Sequence, residues 1–192
     1  MSKPLILVSV LVLAICGAAL AVYGFWRIKN VAIQPIGAKN CAVELEKRIT
    51  RGDSLSGIIE PGEEVILARN FYQCRDIFRG DVVAYSYAGN AAPIIKVVRG
   101  VSGDNFGVRK RAGRWEILIN RETLLTSRGE PFSVDQRARD LIQGYVDSYG
   151  GVIPKDTVFL LGNHASGTLD STRFGLVHQS DIIGKIIYNA SN

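Results

Sequence analysis

Residues 93–98 read Pro93-Ile94-Ile95-Lys96-Val97-Val98, so a single lysine stands inside a run of branched apolar side chains. Branched side chains of this kind are enriched in β-strands. A glycine-bearing turn sequence follows at Ser102-Gly103-Asp104. The pattern therefore predicts a strand over Ile94–Arg99 that carries the lysine at its centre.

The same pattern recurs along most of the chain from Val65 onward. Short runs rich in Val, Ile, Leu and aromatic residues are separated by turn sequences such as Arg79-Gly80-Asp81. The other predicted strands are Val65–Leu67, Val82–Tyr87, Trp115–Ile119, Val158–Leu161 and Ile182–Ile187. One segment, Val134–Tyr149, has helical spacing, and Ser133 is its predicted N-cap. We expect a mostly β domain with a small helical insertion.

The N-terminal segment from Pro4 to Trp26 contains no charged residue and is rich in Leu, Val, Ile and Ala. A helix of that length rises roughly 34 Å, which is enough to cross a hydrocarbon core of about 30 Å. Tyr23 and Trp26 stand at its far end, where amphipathic rings favour the membrane interface. The sequence thus predicts one N-terminal transmembrane helix.

A cleavable signal peptide is the alternative for this segment, because Ala19-Leu20-Ala21 has the small-x-small form of a cleavage site. The apolar run is longer than the roughly 7–15 residues of a typical signal-peptide core, which favours a retained anchor. Charge does not fix the orientation. The basic residues that follow the run outweigh Lys3 and favour a cytoplasmic C-terminus, whereas large domains cross the membrane regardless of that bias.

The composition is that of an ordered protein, with 47% apolar and 21% charged residues. The net charge of +5 does not indicate nucleic-acid binding, because the basic residues are scattered and no basic face with interleaved aromatics stands out. The short run Arg109-Lys110-Arg111 is typical of a solvated turn. We therefore expect no nucleic-acid partner.

The three cysteines lack the spacing of a metal site, and we expect no metal and no cofactor. Cys16 lies inside the apolar run, whereas Cys41 and Cys74 follow it. If that part of the chain lies outside the cytoplasm, Cys41 and Cys74 can form one disulfide bond. Two unrelated thiols are the alternative.

A lysine can replace histidine as the base that activates a serine, provided that its amine is neutral. His164 and His178 are the two histidines that a Ser-His-Asp triad could use, and no Gly-x-Ser-x-Gly motif accompanies them. Burial among apolar groups can bring the pKa of a lysine down from about 10.4 toward neutrality. Lys96 has such a setting, and Lys185, between Ile182-Ile183-Gly184 and Ile186-Ile187, is its rival. A strand lysine that faces solvent is the alternative for both.

Residues 52–63 read Gly52-Asp53-Ser54-Leu55-Ser56-Gly57-Ile58-Ile59-Glu60-Pro61-Gly62-Glu63. This stretch resembles the nucleophile box Gly-x-Ser-Met-x-Pro-Thr-Leu-x-x-Gly-Asp of the type I signal peptidases, which are membrane-anchored serine proteases with a Ser-Lys dyad. Residues 96–104 are similar to the lysine box Lys-Arg-x-x-Gly-x-Pro-Gly-Asp. Three further matches are looser. Arg79–Val83 resembles the stretch with which a strand begins in the family, and Ile119-Asn120 resembles the family's Asn-Gly hairpin. Gly162–Ser171 resembles Gly-Asp-Asn followed by Ser-x-Asp-Ser-Arg. The boxes occur in the family's order behind an apolar N-terminal run.

The resemblance implies that Ser54 is the nucleophile and Lys96 the general base. It also implies that the main-chain N–H of Ser54, helped by the backbone around Gly52, donates to the oxyanion of the tetrahedral intermediate. Ser56 is the rival nucleophile. An alignment anchored on Pro61 would leave no serine at the nucleophile position, but it breaks the spacing to the residues that follow.

A second group of residues is implied to support the dyad. Thr168, at a position that is usually Ser, is expected to hydrogen-bond the lysine amine, and Asp170 and Ser171 are expected to brace the same loop. The departures from the family pattern are Leu55 for Met, Gly57 and Ile58 for Pro-Thr, Val97 for Arg, Ser102 for Pro, Asn163 and His164 for Asp-Asn, and Thr172 for an Arg that is displaced to Arg173. They leave the dyad in place and bear on substrate preference.

The domain organisation expected from this resemblance is a short cytoplasmic tail at residues 1–3, an anchor at 4–26, a tether at 27–50 and an extracytoplasmic peptidase domain at 51–192, with an insertion at about 107–154. The implied function is cleavage of N-terminal signal peptides from exported precursors, after small residues of Ala-x-Ala type, at the cell membrane. The expected partners are these precursors and the lipid bilayer.

Three other functions are weighed against this one. A specialised pilin-type maturation peptidase would use the same dyad on one substrate. A catalytically inactive, membrane-tethered binding module would keep the fold alone. A self-cleaving repressor shares the dyad and the β fold, but it needs a DNA-binding helix-turn-helix where this chain has an apolar run.

Overall fold

The computed structural model describes residues 42–87 and 92–189. The strands of these residues are β1 (Glu44–Ile49), β2 (Glu64–Arg69), β3 (Val82–Tyr85), β4 (Ile94–Val101), β5 (Phe106–Arg111), β6 (Arg114–Ile119), β7 (Glu122–Thr123), β8 (Ser133–Val134), β9 (Thr157–Leu161), β10 (Val177–His178) and β11 (Ile182–Ile187). The helices are α1 (Gln136–Tyr149) and α2 (Ser171–Phe174), with 3₁₀ turns at Phe71–Gln73 and Gln179–Asp181. The expected mostly β class is confirmed.

The larger sheet of the described residues has the strand order β1-β2-β11-β3-β4-β9-β10, and its neighbouring strands are antiparallel. All six strands predicted from the sequence are confirmed, with ends that differ by at most two residues. Five of them lie in this sheet, and the sixth is β6. Strand β4, which carries Lys96, lies between β3 and β9 near the middle of the sheet.

The smaller sheet consists of β5, β6 and β7 in that order, with β8 also paired to β6. It falls with α1 in the part of the chain that the sequence assigns to an insertion. The predicted N-cap Ser133 is wrong, because Ser133 pairs with Glu116 in the sheet. Helix α1 begins two residues later than predicted, and the side chain of Asp135 caps it by accepting the Ala138 N–H at 2.8 Å.

Five strands of the described residues were not predicted from the sequence: the two-residue strands β7, β8 and β10, and the six-residue strands β1 and β5. Residues 44–49, assigned to the tether, form β1 and pair along their whole length with β2. The basic run Arg109-Lys110-Arg111 lies in β5 and is not a turn; the turn follows at Ala112-Gly113, where both residues have positive φ. Most side chains of β1 are exposed, which explains why the sequence shows no clear hydrophobic alternation there.

The predicted anchor and Cys41 lie outside the described residues. Cys74 takes part in a disulfide bond. None of the helices within 42–87 and 92–189 is long and apolar enough to span a membrane.

A buried apolar cluster supports the turn that joins β1 to β2. The turn, residues 50–63, is closed at its base by two main-chain hydrogen bonds, from the Thr50 N–H to the Glu63 carbonyl at 3.0 Å and from the Gly62 N–H to the Thr50 carbonyl at 3.0 Å. The cluster comprises Leu55, Ile59, Val65, Leu67, Val82, Ala84, Val97 and Ile186. Residues of the turn thus share one core with the centre of the sheet. We call residues 50–63 the serine turn.

The close contact of β11 with β2 generates a stability prediction. A Cβ atom at Gly184 would overlap the main-chain carbonyl of Ala68, which the sheet holds in place. Gly184→Ala should therefore lower the free energy of unfolding by about 1–3 kcal/mol in urea denaturation. Gly107→Ala in β5 is the matched control, because a Cβ atom there meets nothing within 4 Å. Equal stability of the two variants would contradict this packing.

Candidate active site

The serine turn holds Ser54 at the mouth of a cleft. The Ser56 N–H donates to the Asp53 carbonyl at 2.8 Å, and the N–H groups of Ile58 and Ile59 donate to the Leu55 carbonyl at 2.9 and 3.0 Å. These bonds wind the chain compactly just after Ser54. Leu55 is 5% exposed, whereas Ser54 is half-buried. The apolar side chain next to the serine thus anchors the turn in the core and leaves the serine hydroxyl accessible.

Lys96 reaches the serine from the centre of the sheet. Its Nζ atom lies 2.9 Å from Ser54 Oγ, although the two residues are 42 positions apart in the chain. The lysine is only 4% exposed, and its strand lies between β3 and β9. The structure therefore brings together the two residues that the sequence analysis pairs as nucleophile and base.

The electrostatics at Lys96 make its ammonium easier to deprotonate than that of an exposed lysine. Burial removes the water that would stabilise an ammonium, and it lowers the pKa of Lys96 below its usual 10.5. The negative charge of Asp170 acts in the opposite direction and raises the pKa of Lys96, but it is the smaller effect. A neutral amine at hydrogen-bonding distance from a serine hydroxyl can accept the hydroxyl proton.

The rival lysine is placed differently. Lys185 Nζ lies 2.5 Å from Asp81 Oδ1, and its amine stands over the Phe71 ring at 5.4 Å from the centroid. Asp81 also accepts the Tyr72 hydroxyl at 3.0 Å and the Phe78 N–H at 3.1 Å. Lys185 is thus a charged structural partner of a largely buried carboxylate, and the described residues pair it with no serine.

Asp170 organises the loop that follows β9. It is 1% exposed, and both of its carboxylate oxygens accept hydrogen bonds. Its donors are Gly162 N at 3.1 Å, Thr168 N at 3.3 Å, Thr168 Oγ1 at 2.7 Å, Thr172 N at 3.0 Å and Thr172 Oγ1 at 2.7 Å. A buried carboxylate with this many donors is stabilised without a direct ion pair.

The other two residues expected to support the dyad lie in the same loop. The Thr168 hydroxyl donates to Asp170, and among the described residues the hydrogen bond of Lys96 Nζ is with Ser54, so the expected bond between Thr168 and the lysine amine is not formed. The Ser171 hydroxyl is fully buried and accepts the Leu160 N–H at 2.9 Å, which ties α2 to β9. Gly162 lies between the loop and the serine turn, where a Cβ atom would come within 2.7 Å of Ser54 O and 2.5 Å of Thr168 Oγ1. The loop and the serine turn therefore meet without an intervening side chain.

Asn163 is a site residue that sequence reasoning noted only as a departure. Its side-chain amide donates to the Ser56 carbonyl at 2.8 Å and to Ser127 Oγ at 2.7 Å, and its Oδ1 accepts the Ser127 N–H at 2.9 Å. Ser127 lies between β7 and β8, so this side chain connects the serine turn to the smaller sheet. The position of Asn163 directly after Gly162 was the only available sequence indication.

Gly57 shows how the turn works without the proline usual at that position. Its φ is 88°, which proline cannot adopt, and its N–H donates to the Glu60 carboxylate at 2.7 Å. A Cβ atom at Gly57 would lie 2.9 Å from Ser127 Oγ. The Gly57 N–H, and after it the Ser56 hydroxyl, lower the pKa of Glu60. The Ser56 side chain is thus engaged with Glu60, whereas Ser54 faces the lysine.

The two histidines do not build a triad with Ser54 in the described residues. His164 Nε2 lies 2.6 Å from the main-chain oxygen of Asp53, and His178 Nδ1 lies 2.7 Å from Ser180 Oγ. Neither ring nitrogen contacts the Ser54 hydroxyl. The contact of that hydroxyl is with Lys96.

A cleft of about 500 Å³ opens beside Ser54 and Lys96. Apolar side chains from five strands and the serine turn form much of its wall, and basic residues stand along it. The lining residues are Lys47, Arg48, Ile49, Thr50, Arg51, Ser54, Leu55, Ile59, Leu67, Ala84, Ala92, Pro93, Ile94, Ile95, Lys96 and Ile186. The cleft is large enough for several residues of an extended peptide whose side chains are small.

Known proteins are similar to this chain over most of its length. The family model described as signal peptidase, peptidase S26, matches residues 31–189. Signal peptidase IB of Staphylococcus aureus strains Mu50 and N315 is 24% identical over 152 residues, which cover 72% of this chain and 73% of each relative. A crystal structure of a signal peptidase I from Enterococcus faecalis V583 has a TM-score of 0.39 and 20% identity, and the match covers 60% of this chain and 98% of that one.

The family model spans the strands, the serine turn, Lys96 and the Asp170 loop, and so includes every residue of the site described above. The resemblance inferred from the sequence boxes is thereby confirmed. This chain belongs to the signal peptidase family, peptidase S26.

Proposed function

We propose that this chain is a membrane-anchored serine endopeptidase that removes N-terminal signal peptides from exported precursors by a Ser54–Lys96 dyad. The observation that carries the proposal is the 2.9 Å contact between a half-buried serine hydroxyl and a lysine amine that is 4% exposed. Burial of that amine lowers its pKa, as a base requires. The family supplies the substrate class, precursors that carry signal peptides.

In the proposed reaction, the Ser54 oxygen attacks the carbonyl carbon of the scissile peptide bond while its proton passes to the neutral amine of Lys96. The resulting tetrahedral intermediate collapses, the C–N bond breaks, and the Lys96 ammonium protonates the departing amine. A water molecule then attacks the acyl-ester carbonyl and gives a proton to Lys96. The ester bond to Ser54 breaks, the serine oxygen regains a proton, and the signal peptide leaves as a carboxylic acid.

The proposed oxyanion donor is the Ser54 main-chain N–H. Within residues 42–87 and 92–189, this N–H donates to no protein acceptor, so a substrate oxygen can take it. Gly52, two residues earlier, has φ of 78° in the same turn. Donors fixed in advance at such a position stabilise the intermediate because they need no reorganisation during the reaction.

The proposed specificity for small residues of Ala-x-Ala type rests on the cleft beside Ser54. Leu55, Ile59 and Ile95 are among the apolar residues that line it, and such a lining disfavours charged substrate side chains. The apolar run from Pro4 to Trp26 is proposed to hold the enzyme at the cell membrane, with the peptidase domain on the extracytoplasmic side where exported precursors emerge.

The contact between Ser54 and Lys96 also favours an active peptidase over an inactive binding module. Keeping an amine buried costs about 1.4 kcal/mol for each unit by which its pKa falls. A binding module would gain nothing from this cost, and an apolar side chain of similar length would stabilise the domain better.

Replacing the proposed nucleophile tests this function. In detergent, the full chain should cleave a precursor with an Ala-x-Ala junction, and Ser54→Ala should lower kcat at least about a thousandfold, because it removes the hydroxyl that contacts the Lys96 amine. Ser56→Ala is the matched control and should keep most activity, since its hydroxyl is engaged with Glu60. A dead Ser56→Ala variant beside an active Ser54→Ala variant would contradict the assignment.

Replacing the proposed base tests the role of burial. Because the folded-state pKa of Lys96 is lowered, the unfolded chain binds more protons than the native protein between that value and 10.5. This lysine therefore destabilises the protein as the pH falls through that window, and its cost stays constant below it. Lys96→Met should be inactive, and its gain in unfolding free energy over the parent should grow as the pH falls through the window. The activity of the parent should rise with pH near the lower end of this window, because the Lys96 amine of the folded protein loses its proton there.

Lys185→Met is the matched control for this change. It leaves Asp81 without its cation, so it should lower the unfolding free energy by about 1–3 kcal/mol and retain activity in the folded fraction. Denaturation and precursor cleavage measured across the pH range compare the two variants. An active Lys96→Met variant, or one less stable than the parent at every pH, would contradict the assignment of Lys96.

A further inference from the structure

Two consecutive residues of the loop after β9 hold the main chain on either side of Ser54. The Asn163 N–H donates to the Ser54 carbonyl at 2.7 Å. His164 Nε2 lies 2.6 Å from the Asp53 carbonyl oxygen. These two carbonyls belong to the peptide units that directly precede and follow the Cα atom of Ser54. The loop therefore contacts both peptide units of the serine.

Peptide geometry connects the His164 contact to the proposed oxyanion donor. The peptide unit between Asp53 and Ser54 is trans, so the Asp53 carbonyl and the Ser54 N–H point in opposite directions from one plane. A group that holds the carbonyl at one edge of this plane also fixes the direction of the N–H at the other edge. The Ser56 N–H donates to the same carbonyl from within the turn at 2.8 Å, and the His164 contact adds a second hold from outside it. The two contacts together set the direction of the N–H that is to donate to the oxyanion.

We infer that His164 is a positioning residue for the oxyanion site. Its Nε2–H donates to the Asp53 carbonyl and thereby aims the Ser54 N–H into the cleft. This inference rests on the proposed function, in which that N–H stabilises the tetrahedral intermediate. A donor that is misdirected by a fraction of an ångström loses much of its effect in the transition state, although substrate binding in the ground state changes little.

The chemistry of the ring sets a condition on this contact. Nε2 must carry a hydrogen to donate, which the neutral Nε2–H tautomer and the imidazolium both satisfy. The neutral Nδ1–H tautomer would place a lone pair against the carbonyl oxygen at 2.6 Å. The family usually has asparagine at this position, and its amide nitrogen is one bond closer to Cβ than Nε2 is. An asparagine at this position would therefore reach less far toward the Asp53 carbonyl than His164 does.

The experiment compares His164→Leu with His164→Gln. Leucine removes the donor, whereas the glutamine amide nitrogen lies as many bonds from Cβ as Nε2 does and can donate to the same carbonyl. With a precursor substrate, His164→Leu should lower kcat roughly ten- to a hundredfold and leave KM within about twofold, and His164→Gln should recover most of the loss. His178→Gln, which alters the other histidine, should match the parent.

A peptide aldehyde that ends in alanine gives a second readout. Addition of Ser54 Oγ to its carbonyl, with the proton passing through Lys96, forms a hemiacetal whose oxygen occupies the oxyanion position. Its affinity for His164→Leu should fall by about the factor that kcat loses, whereas an uncleavable peptide should bind as it does to the parent. A merely structural role for His164 would weaken both ligands together or neither.

Parental kcat in His164→Leu would overturn the inference, and so would a His164→Gln variant that is folded but as slow as His164→Leu. If the parent and Ser54→Ala are equally inactive on precursors, the proposed function fails, and the ¹⁵N spectrum of the two imidazoles still decides the contact. A neutral His164 ring with its hydrogen on Nε2 supports it, and one with its hydrogen on Nδ1 overturns it. If His164→Leu does not fold, the ¹⁵N spectrum of the parent and the kcat of His164→Gln test the inference instead.

Discussion

The contact between the Lys96 amine and the Ser54 hydroxyl is the interaction on which the rest of this site depends, because it requires a lysine that is buried without a paired carboxylate. Two lysines in strands of the same sheet show the difference. Lys185 meets Asp81 directly and is a structural ion pair. Lys96 lies near Asp170, but five donors already engage that carboxylate, and the amine faces a hydroxyl instead. Desolvation then outweighs the attraction and lowers the pKa of Lys96.

The surrounding structure keeps the serine fixed against this amine. Leu55 anchors the serine turn in the core below, and the main chain at Gly162 approaches from the side with no room for a side chain. Asn163 extends the support to the smaller sheet through Ser127. Ser127 can lie this close to the serine turn because Gly57, which replaces the usual proline, has no side chain. The smaller sheet therefore helps to hold the site in place. This explains why glycine replaces the family's proline at position 57, a departure that the sequence analysis related only to substrate preference.

Strands with strong patterns could be predicted from the sequence, and the family resemblance paired Ser54 with Lys96, which lie in contact. Edge elements and polar connections could not be predicted. Ile94–Arg99 and Val158–Leu161 are apolar enough to identify buried strands. Strand β1 is mostly exposed, and its identity depends on pairing with β2, which no local pattern reveals. The choice between Lys96 and Lys185 depended on carboxylates that are distant in sequence. Asn163 and His164 contact main-chain carbonyls. Every residue has such a carbonyl, so the identity of the partner residue does not reveal these contacts.

The most direct measurement of the central claim is the titration of Lys96 itself, by ¹³C NMR of its Cε atom in the full chain with labelled lysine. Comparison with Lys96→Met assigns the resonance. The Lys96 amine should lose its proton below the 10.5 of an ordinary lysine, and its titration should shift in Ser54→Ala, where the hydroxyl contact is lost. A Lys96 resonance that titrates at or above 10.5 and is the same in both proteins would show a charged lysine without a catalytic partner, and would contradict the account.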